Sequence, residues 1–284
     1  MSRHVTVTAV QLWSTRSSTP DQNRVHALDM LEKAASGRPD LVVMPEAVAM
    51  LCYPDDQPDF TYLDVAEPIP GPTSDAACRI AREFNVNVVI GLIELRQDGG
   101  QNLCLVIDRS GTIVGRYEKV HEPEICRLEQ MALVGNEIPV FDLDFGRIGI
   151  FICWDLNYPE LPSILGAKGA DLLIFPHMIS LSSDSNFGLR LRARAADSGL
   201  PLVAAGMRDE HNHNGSEPDL GPTCILDANG VVVSTSLHPG PDLVTAAIKL
   251  DSDSPSRKRA NRFRKDVRPD VYFEEWKLAA KDRS

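Results

Sequence analysis

Aromatic residues are scarce in this 284-residue chain, at 6%, and no stretch is apolar for long enough to cross a bilayer as a helix. The N-terminal MSRHVTVTAVQLWS enters an alternating strand pattern at once, with no long apolar run and no small-residue cleavage site. A soluble, cytoplasmic protein is expected. Cationic charge is also in short supply. Against 40 Asp and Glu stand 29 Lys and Arg, a formal net charge of −11. Such a surface repels phosphate, which argues against nucleic acid and anionic membranes as partners. The six cysteines, Cys52, Cys78, Cys104, Cys126, Cys153 and Cys224, include no C-x-x-C pair and have no histidine at finger spacing. A metal site and a disulfide framework are therefore both disfavoured. His211 and His213, in EHNHNG, have no acidic or cysteine ligand motif beside them and read as a solvated polar loop. No G-x-S-x-G, G-x-x-x-x-G-K-[ST] or G-x-G-x-x-G occurs, which removes the serine elbow, the P-loop and the dinucleotide fingerprint. Neither metal nor organic cofactor is indicated.

What is present is a globular composition, 43% hydrophobic, in which apolar runs alternate with helical spacing. Val5 to Leu12, Leu41 to Met44 and Asn87 to Leu95 read as strands, and residues 21–35 and 73–84 as helices. Turn signals at Asp98-Gly99-Gly100, Asp108-Arg109-Ser110-Gly111 and Asn229-Gly230 predict hairpins. Further strands are expected at residues 147–153, 172–175, 202–207, 223–226, 231–234 and 243–250, and helices at 159–168 and 188–198. Hairpins mixed with helical crossovers imply a mixed sheet, or two packed sheets, with helices outside. Residues 1–251 form one α/β domain. Residues 252–284, polar and basic with no apolar period, are a tail that packs on something or stays loose.

Three polar side chains end apolar strands: Glu46 in LVVMPEA, Lys119 in IVGRYEKVH and Cys153 in RIGIFICWD. Such positions line the crevice of an α/β sheet. Singly they read as a helix cap, a solvated lysine and a core thiol. Together they form a nucleophile set. The thiolate is the reactive form of cysteine. A carboxylate can take its proton, and a fixed ammonium can hold the oxyanion that follows attack on a carbonyl. The N–H of Trp154, just after the nucleophile, would be a second oxyanion donor. Losing one such donor typically costs about 3–4 kcal/mol of barrier.

At these residues the chain resembles the nitrilase, or carbon–nitrogen hydrolase, superfamily. LVVMPEA, GRYEKVH and GIFICWDLNYPE look like its glutamate, lysine and cysteine motifs, in that order, and GADLLIFP, RARAADSGLPLVAAG and GPTCILDANGVVVSTS look like supporting segments. The resemblance implies an α/β fold arranged as a four-layer αββα sandwich with mixed sheets. It also implies a Glu46–Lys119–Cys153 triad, a thioester acyl-enzyme and a small-molecule substrate. It places a second glutamate at Glu129, in RLEQMALVG, although the spacing to Gly135 is one residue short; the alternative there is a surface carboxylate. Tyr53, Asn157, Tyr158 and His177 become candidate pocket residues, His177 equally a hydrogen-bonded histidine at a sheet end. Cys-Trp-Asp at the nucleophile resembles the amidase and N-carbamoyl hydrolase branches, not the Cys-Trp-Glu of nitrilases. The tail RFRKDVRPDVY resembles those that contribute to subunit packing, so a homodimer or larger homo-oligomer is implied.

Departures bear on the substrate. Asn157 replaces an arginine common in some branches, so an acidic substrate is not expected if that arginine would bind its carboxylate. Glu118 stands where arginine is common, Ser198 where asparagine is common, and Cys52-Tyr53 replaces Gly-Tyr. Expected activity is hydrolysis of an amide or N-carbamoyl group. The rivals are attack on a nitrile by the same triad, acyl transfer to an amine, and a non-catalytic binding protein on the same fold.

Overall fold

The computed structural model describes residues 2–15, 18–50, 59–128, 130–178, 186–209 and 220–281. Its spine is a hydrogen-bonded path of strands with two halves. The first half comprises β1 (Ser2–Ser14), β2 (Leu41–Val43), β3 (Asn87–Arg96), β4 (Gly99–Ile107), β5 (Ile113–Glu118) and the short β6 (Ala132–Leu133). The second comprises β7 (Val140–Leu143), β8 (Gly146–Ile150), β9 (Leu172–His177), β10 (Leu202–Asp209), β11 (Cys224–Leu226) and β12 (Val232–Thr235). Strand β13 (Asp242–Asp251) returns to pair antiparallel with β1 from Ser2↔Asp251 to Gln11↔Asp242. Beyond that pairing, Leu12 to Ser14 run parallel to Met207 to Asp209 and join the halves.

Each half has a parallel centre, β1–β2–β3 and β8–β9–β10, flanked by antiparallel hairpins. Parallel neighbours need long crossovers, and helices supply them. Helix α1 (Pro20–Ser36) joins β1 to β2, and α2 (Pro72–Phe84) lies between β2 and β3. Helix α3 (Glu124–Leu128) follows the lysine strand, while α4 (Glu160–Ala167) and α5 (Phe187–Ser198) serve the second half. The start of α1 is fixed by a capping box. Gln22 N–H donates to Thr19 Oγ1 at 3.2 Å, and Thr19 N–H donates to Gln22 Oε1 at 2.9 Å.

Strand alternation sorts the core into layers. From the first half, Val5, Val7, Leu41, Val43 and Val89 point inward and pack with Phe141, Ile148, Ile150, Phe175 and Val203 of the second. The other faces of the same strands, with Val42, Val88 and Ile90, receive Leu31, Ala34, Ile80 and Ala81 of α1 and α2. Helices α4 and α5 cover the second half with Leu161, Leu165, Leu191 and Ala195. The result is the expected four-layer αββα sandwich. Among the described residues no helix is long and apolar enough to cross a membrane.

The tail departs from its reading as a segment without helical period. It folds as α6 (Pro255–Lys265) and α7 (Pro269–Lys281). Ser254 caps α6 by accepting from Arg257 N–H at 3.2 Å, and buried Ala260 seats the helix where an added Cβ on Gly199 would come within 2.9 Å. So few apolar side chains among so many arginines and lysines leave no visible periodicity.

Candidate active site

Glu46, Lys119 and Cys153 arrive at one point from three strand ends, each held by backbone geometry. The chain leaves β2 and turns through Pro45-Glu46-Ala47 against β3. Gly91 N–H donates to Pro45 O at 3.2 Å, and Val48 N–H donates to Gly91 O at 3.0 Å. The approach is close enough to require glycine. A Cβ at position 91 would lie 2.5 Å from Pro45 O and 2.6 Å from Glu46 Cα. Lys119 directly follows β5, its N–H donating to Asn102 O at 2.9 Å and its carbonyl accepting from Gly135 N–H at 2.7 Å.

Cys153 comes after β8, which ends at Ile150, three residues earlier than the sequence suggests. It opens a 3-10 helix, Cys153–Asn157, and has φ of +46°, a left-handed conformation costly for a residue with a Cβ. Strain of this kind persists where surrounding contacts over-determine it. Here buried Asp155 supplies the contacts. Its carboxylate accepts from Ile152 N–H at 2.8 Å, Tyr117 Oη at 2.7 Å and His121 N–H at 3.1 Å, with His121 Nδ1 at 2.8 Å. One buried carboxylate thus ties the cysteine turn to the strand and loop that carry Lys119.

The polar centre is almost dry. Lys119 Nζ lies 2.9 Å from Glu46 Oε1 and 3.0 Å from Glu122 Oε2, and all three residues are buried. Asn102 Nδ2 donates to Glu46 Oε1 at 2.7 Å, and Tyr62 Oη donates to Glu122 Oε2 at 3.3 Å. Glu46 Oε2 and Glu122 Oε1 are buried without a hydrogen-bond partner among the described residues. Burial opposes charge on Lys119, but the two carboxylates outweigh it and hold the ammonium well above the ordinary lysine range. Burial pushes Glu122 up to about 7, with Lys119 pulling the other way. Burial and then the Glu46 charge raise the Cys153 thiol well above its ordinary value, against the opposing pull of Lys119 and a hydrogen bond from Met178 N–H. Cys153 therefore favours the neutral thiol, with the Glu46 carboxylate beside it. As a residue it nonetheless keeps partial exposure.

The remaining predicted residues are placed variously. Trp154 is 43% exposed, and its N–H lies in the first turn of the 3-10 helix, where donors lack an intrahelical acceptor. Asn157 closes that turn, donating from Nδ2 to Trp154 O at 3.1 Å. Tyr158 stacks on His121 with ring centroids 3.6 Å apart. His177 is fully buried, Nε2 lying 2.8 Å from Pro222 O and its ring stacked on Phe175; burial lowers it to about 4, so the ring is neutral. It is a hydrogen-bonded histidine at a sheet end that also feels the Glu46 charge. Tyr53, Glu129, His211 and His213 lie outside the described residues. Sequence reasoning missed Glu122, Asn102, Tyr62, Asp155 and Met178. None of them ends an apolar strand, the signal that marked Glu46, Lys119 and Cys153. Among the described residues no cluster of three or more His, Cys, Asp or Glu is arranged to hold a metal ion.

The family model described as carbon-nitrogen hydrolase matches residues 6–257. The chain is 29% identical over 208 residues to a probable nitrilase of Schizosaccharomyces pombe, covering 71% of this chain and 74% of that one. It is also 29% identical over 273 residues to the deaminated glutathione amidase of Bos taurus, covering 90% and 81%. Among solved structures, a carbon-nitrogen hydrolase from Helicobacter pylori G27 superposes with a TM-score of 0.78 at 24% identity, covering 95% of this chain and 97% of that one.

Proposed function

The chain belongs to the carbon–nitrogen hydrolase family, and we propose that it hydrolyses an amide or N-carbamoyl group through a thioester on Cys153. The observation that carries this reading is the convergence of a strained, strand-end cysteine on a buried Glu46–Lys119 pair at 2.9 Å.

The chemistry follows from the atoms present. Glu46, through Oε2, takes the thiol proton as sulfur bonds to the carbonyl carbon. The carbonyl π electrons move to oxygen, where Lys119 Nζ and the N–H of Trp154 hold the negative charge. Collapse of this intermediate breaks the carbon–nitrogen bond, and Glu46 returns its proton to the leaving ammonia or amine. Water then attacks the thioester, giving its proton to Glu46, and expulsion of sulfur regenerates the thiol. One water is consumed, and one acid and one amine are produced. Glu122, 3.0 Å from Lys119 Nζ, helps Glu46 keep the ammonium charged; Glu129 keeps its expected role of orienting Lys119 or the substrate.

Cys153→Ala should abolish ammonia release from amides and N-carbamoyl compounds while leaving the circular dichroism spectrum unchanged. Turnover retained in that variant would end the proposal. The same triad could attack a nitrile, and one relative is named a probable nitrilase. A matched nitrile and amide separate the two readings, since the amide should be the better substrate. Association into a homodimer or larger homo-oligomer belongs to the same proposal, supported by the exposed aromatic residues of α7.

A further inference from the structure

A cavity of about 360 Å³ lies where the first turn of α6 meets the end of β13, the turn between β11 and β12, and the residues entering β9 and β10. Its size falls within the range of small-molecule sites. It is separate from the cysteine centre. Asp171 and Leu200-Pro201, which line it, lie just before β9 and β10, whereas Cys153 follows the opposite end of β8, which runs parallel to β9. At about 3.3 Å per residue, the length of these strands puts on the order of 15 Å between the two places.

We infer that this cavity binds a small zwitterion, a molecule whose carboxylate faces Arg257 and whose ammonium group faces Asp171.

Arg257 is the unmet donor. It is only 8% exposed, and its Nη1 is buried without a hydrogen-bond partner among the described residues. A guanidinium presents its donors in a fixed fork suited to a carboxylate, and leaving them unmet in a buried place is costly. Arg264 adds to that cost. Its Nη2 donates to Ser198 O at 2.5 Å, and burial, then repulsion by Arg257, lower it to about 10. An arriving carboxylate relieves this crowding of like charge. The start of α6 helps, because the first turn of a helix is its positive end.

Asp171 is the unmet acceptor. Its Oδ2 accepts from Arg147 N–H at 3.1 Å and lies 3.9 Å from Arg3, while Oδ1 has no hydrogen-bond partner among the described residues. The Asp171 charge supports Arg257 against desolvation, yet no ion pair joins the two among the described residues. The other charges of the cavity are already answered. Lys249 Nζ lies 2.8 Å from Asp251 Oδ2, and Asp227 Oδ1 accepts from the N–H groups of Asn229 and Val231 at 2.8 and 2.9 Å. Two opposite charges that line one cavity without meeting match the two ends of a zwitterion. A plain anion satisfies Arg257 but faces three aspartates, a plain cation leaves Arg257 unmet, and a doubly charged phosphate is repelled most. Bound here, the ligand joins the first tail helix to the body of the domain.

Isothermal titration calorimetry of the full chain tests this, with glycine, β-alanine, 4-aminobutanoate and 5-aminopentanoate as probes and butanoate and butylamine as single-charge controls. At least one zwitterion should bind with one-to-one stoichiometry, at least tenfold tighter than both controls. Arg257→Gln and Asp171→Asn should each weaken that binding at least tenfold with the circular dichroism spectrum unchanged. Should Arg257→Gln fail to fold, Asp171→Asn decides alone, since its amide oxygen still accepts from Arg147 N–H. No saturation by any zwitterion up to about 10 mM, butanoate or butylamine binding as tightly, or undiminished affinity in Asp171→Asn overturns the site.

Discussion

A buried lysine between two buried carboxylates makes proton occupancy a property of the folded state. Glu122 shows this most directly, because burial raises it from the ordinary 4.5 to about 7. Folding therefore strengthens its hold on a proton. The stability this contributes is complete below about pH 4.5 and is lost as pH rises through about 7. At 1.36 kcal/mol per unit, the full effect is about 3 kcal/mol at most. Glu122→Gln carries no such proton, so its stability should not show this loss. Urea unfolding of both proteins at pH 5, 6, 7 and 8 should show the wild type losing ground to the variant as pH rises. A constant difference across the series would mean that Glu122 is ionised throughout. The same residue marks the limit of local sequence reading. Glu46, Lys119 and Cys153 were legible because each closes an apolar strand and so has a defined direction. Glu122 sits in an irregular loop among other acidic side chains, and only the fold brings it to within 3.0 Å of Lys119.

At the scale of elements, the site depends on how closely strands and turns approach one another. Strand β3 has glycine at position 91 because the Glu46 turn lies on its backbone, where a Cβ would fall 2.5 Å from Pro45 O and 2.8 Å from Ala47 N. Neither contact ends in a flexible side chain that could swing aside. Gly91→Ala must therefore displace the turn and move Glu46 relative to Lys119. Overpacking of this kind typically costs about 1–3 kcal/mol. Thermal unfolding should register that cost, and kcat should fall by more than the loss of folded protein explains, since the displaced group is the proposed base. Wild-type kcat in a destabilised variant would show that the turn tolerates the shift. Strand periods and apolar runs place β1, β2, β3, β9, β10 and β13 close to their observed limits, because buried strands announce themselves by alternation or by wholly apolar runs. Short elements escaped this reading. Two-residue β6 and four-residue β7 are too brief to show a period. The 3-10 turn at Cys153 continues an apolar run, so its strained backbone was invisible until Asp155 and its four donors were seen.

The molecule as a whole carries a formal charge of −11, yet α6 exposes Lys258, Arg259, Arg262 and Lys265 within one helix. Next to it, Tyr272, Phe273, Trp276 and Leu278 of α7 are each more than half exposed. Tyr272, Phe273 and Trp276 follow i, i+1, i+4 spacing and share one stripe of the helix. Single exposed apolar residues need no explanation, but a stripe of aromatics on a terminal helix marks an interaction surface. A second copy of the chain suits both features, since its acidic body complements a basic helix and its own α7 offers a matching stripe under two-fold symmetry. Removing residues 267–284 takes away the stripe and leaves α6 seated on α5 through Ala260. Size-exclusion chromatography with light scattering should then report a lower oligomeric state for the truncated protein than for the full chain at equal concentration. Raised salt should weaken the full-length assembly in part only, because aromatic burial persists where charge attraction is screened. An unchanged mass after truncation would place any self-association on another face and leave the aromatic stripe for a different protein.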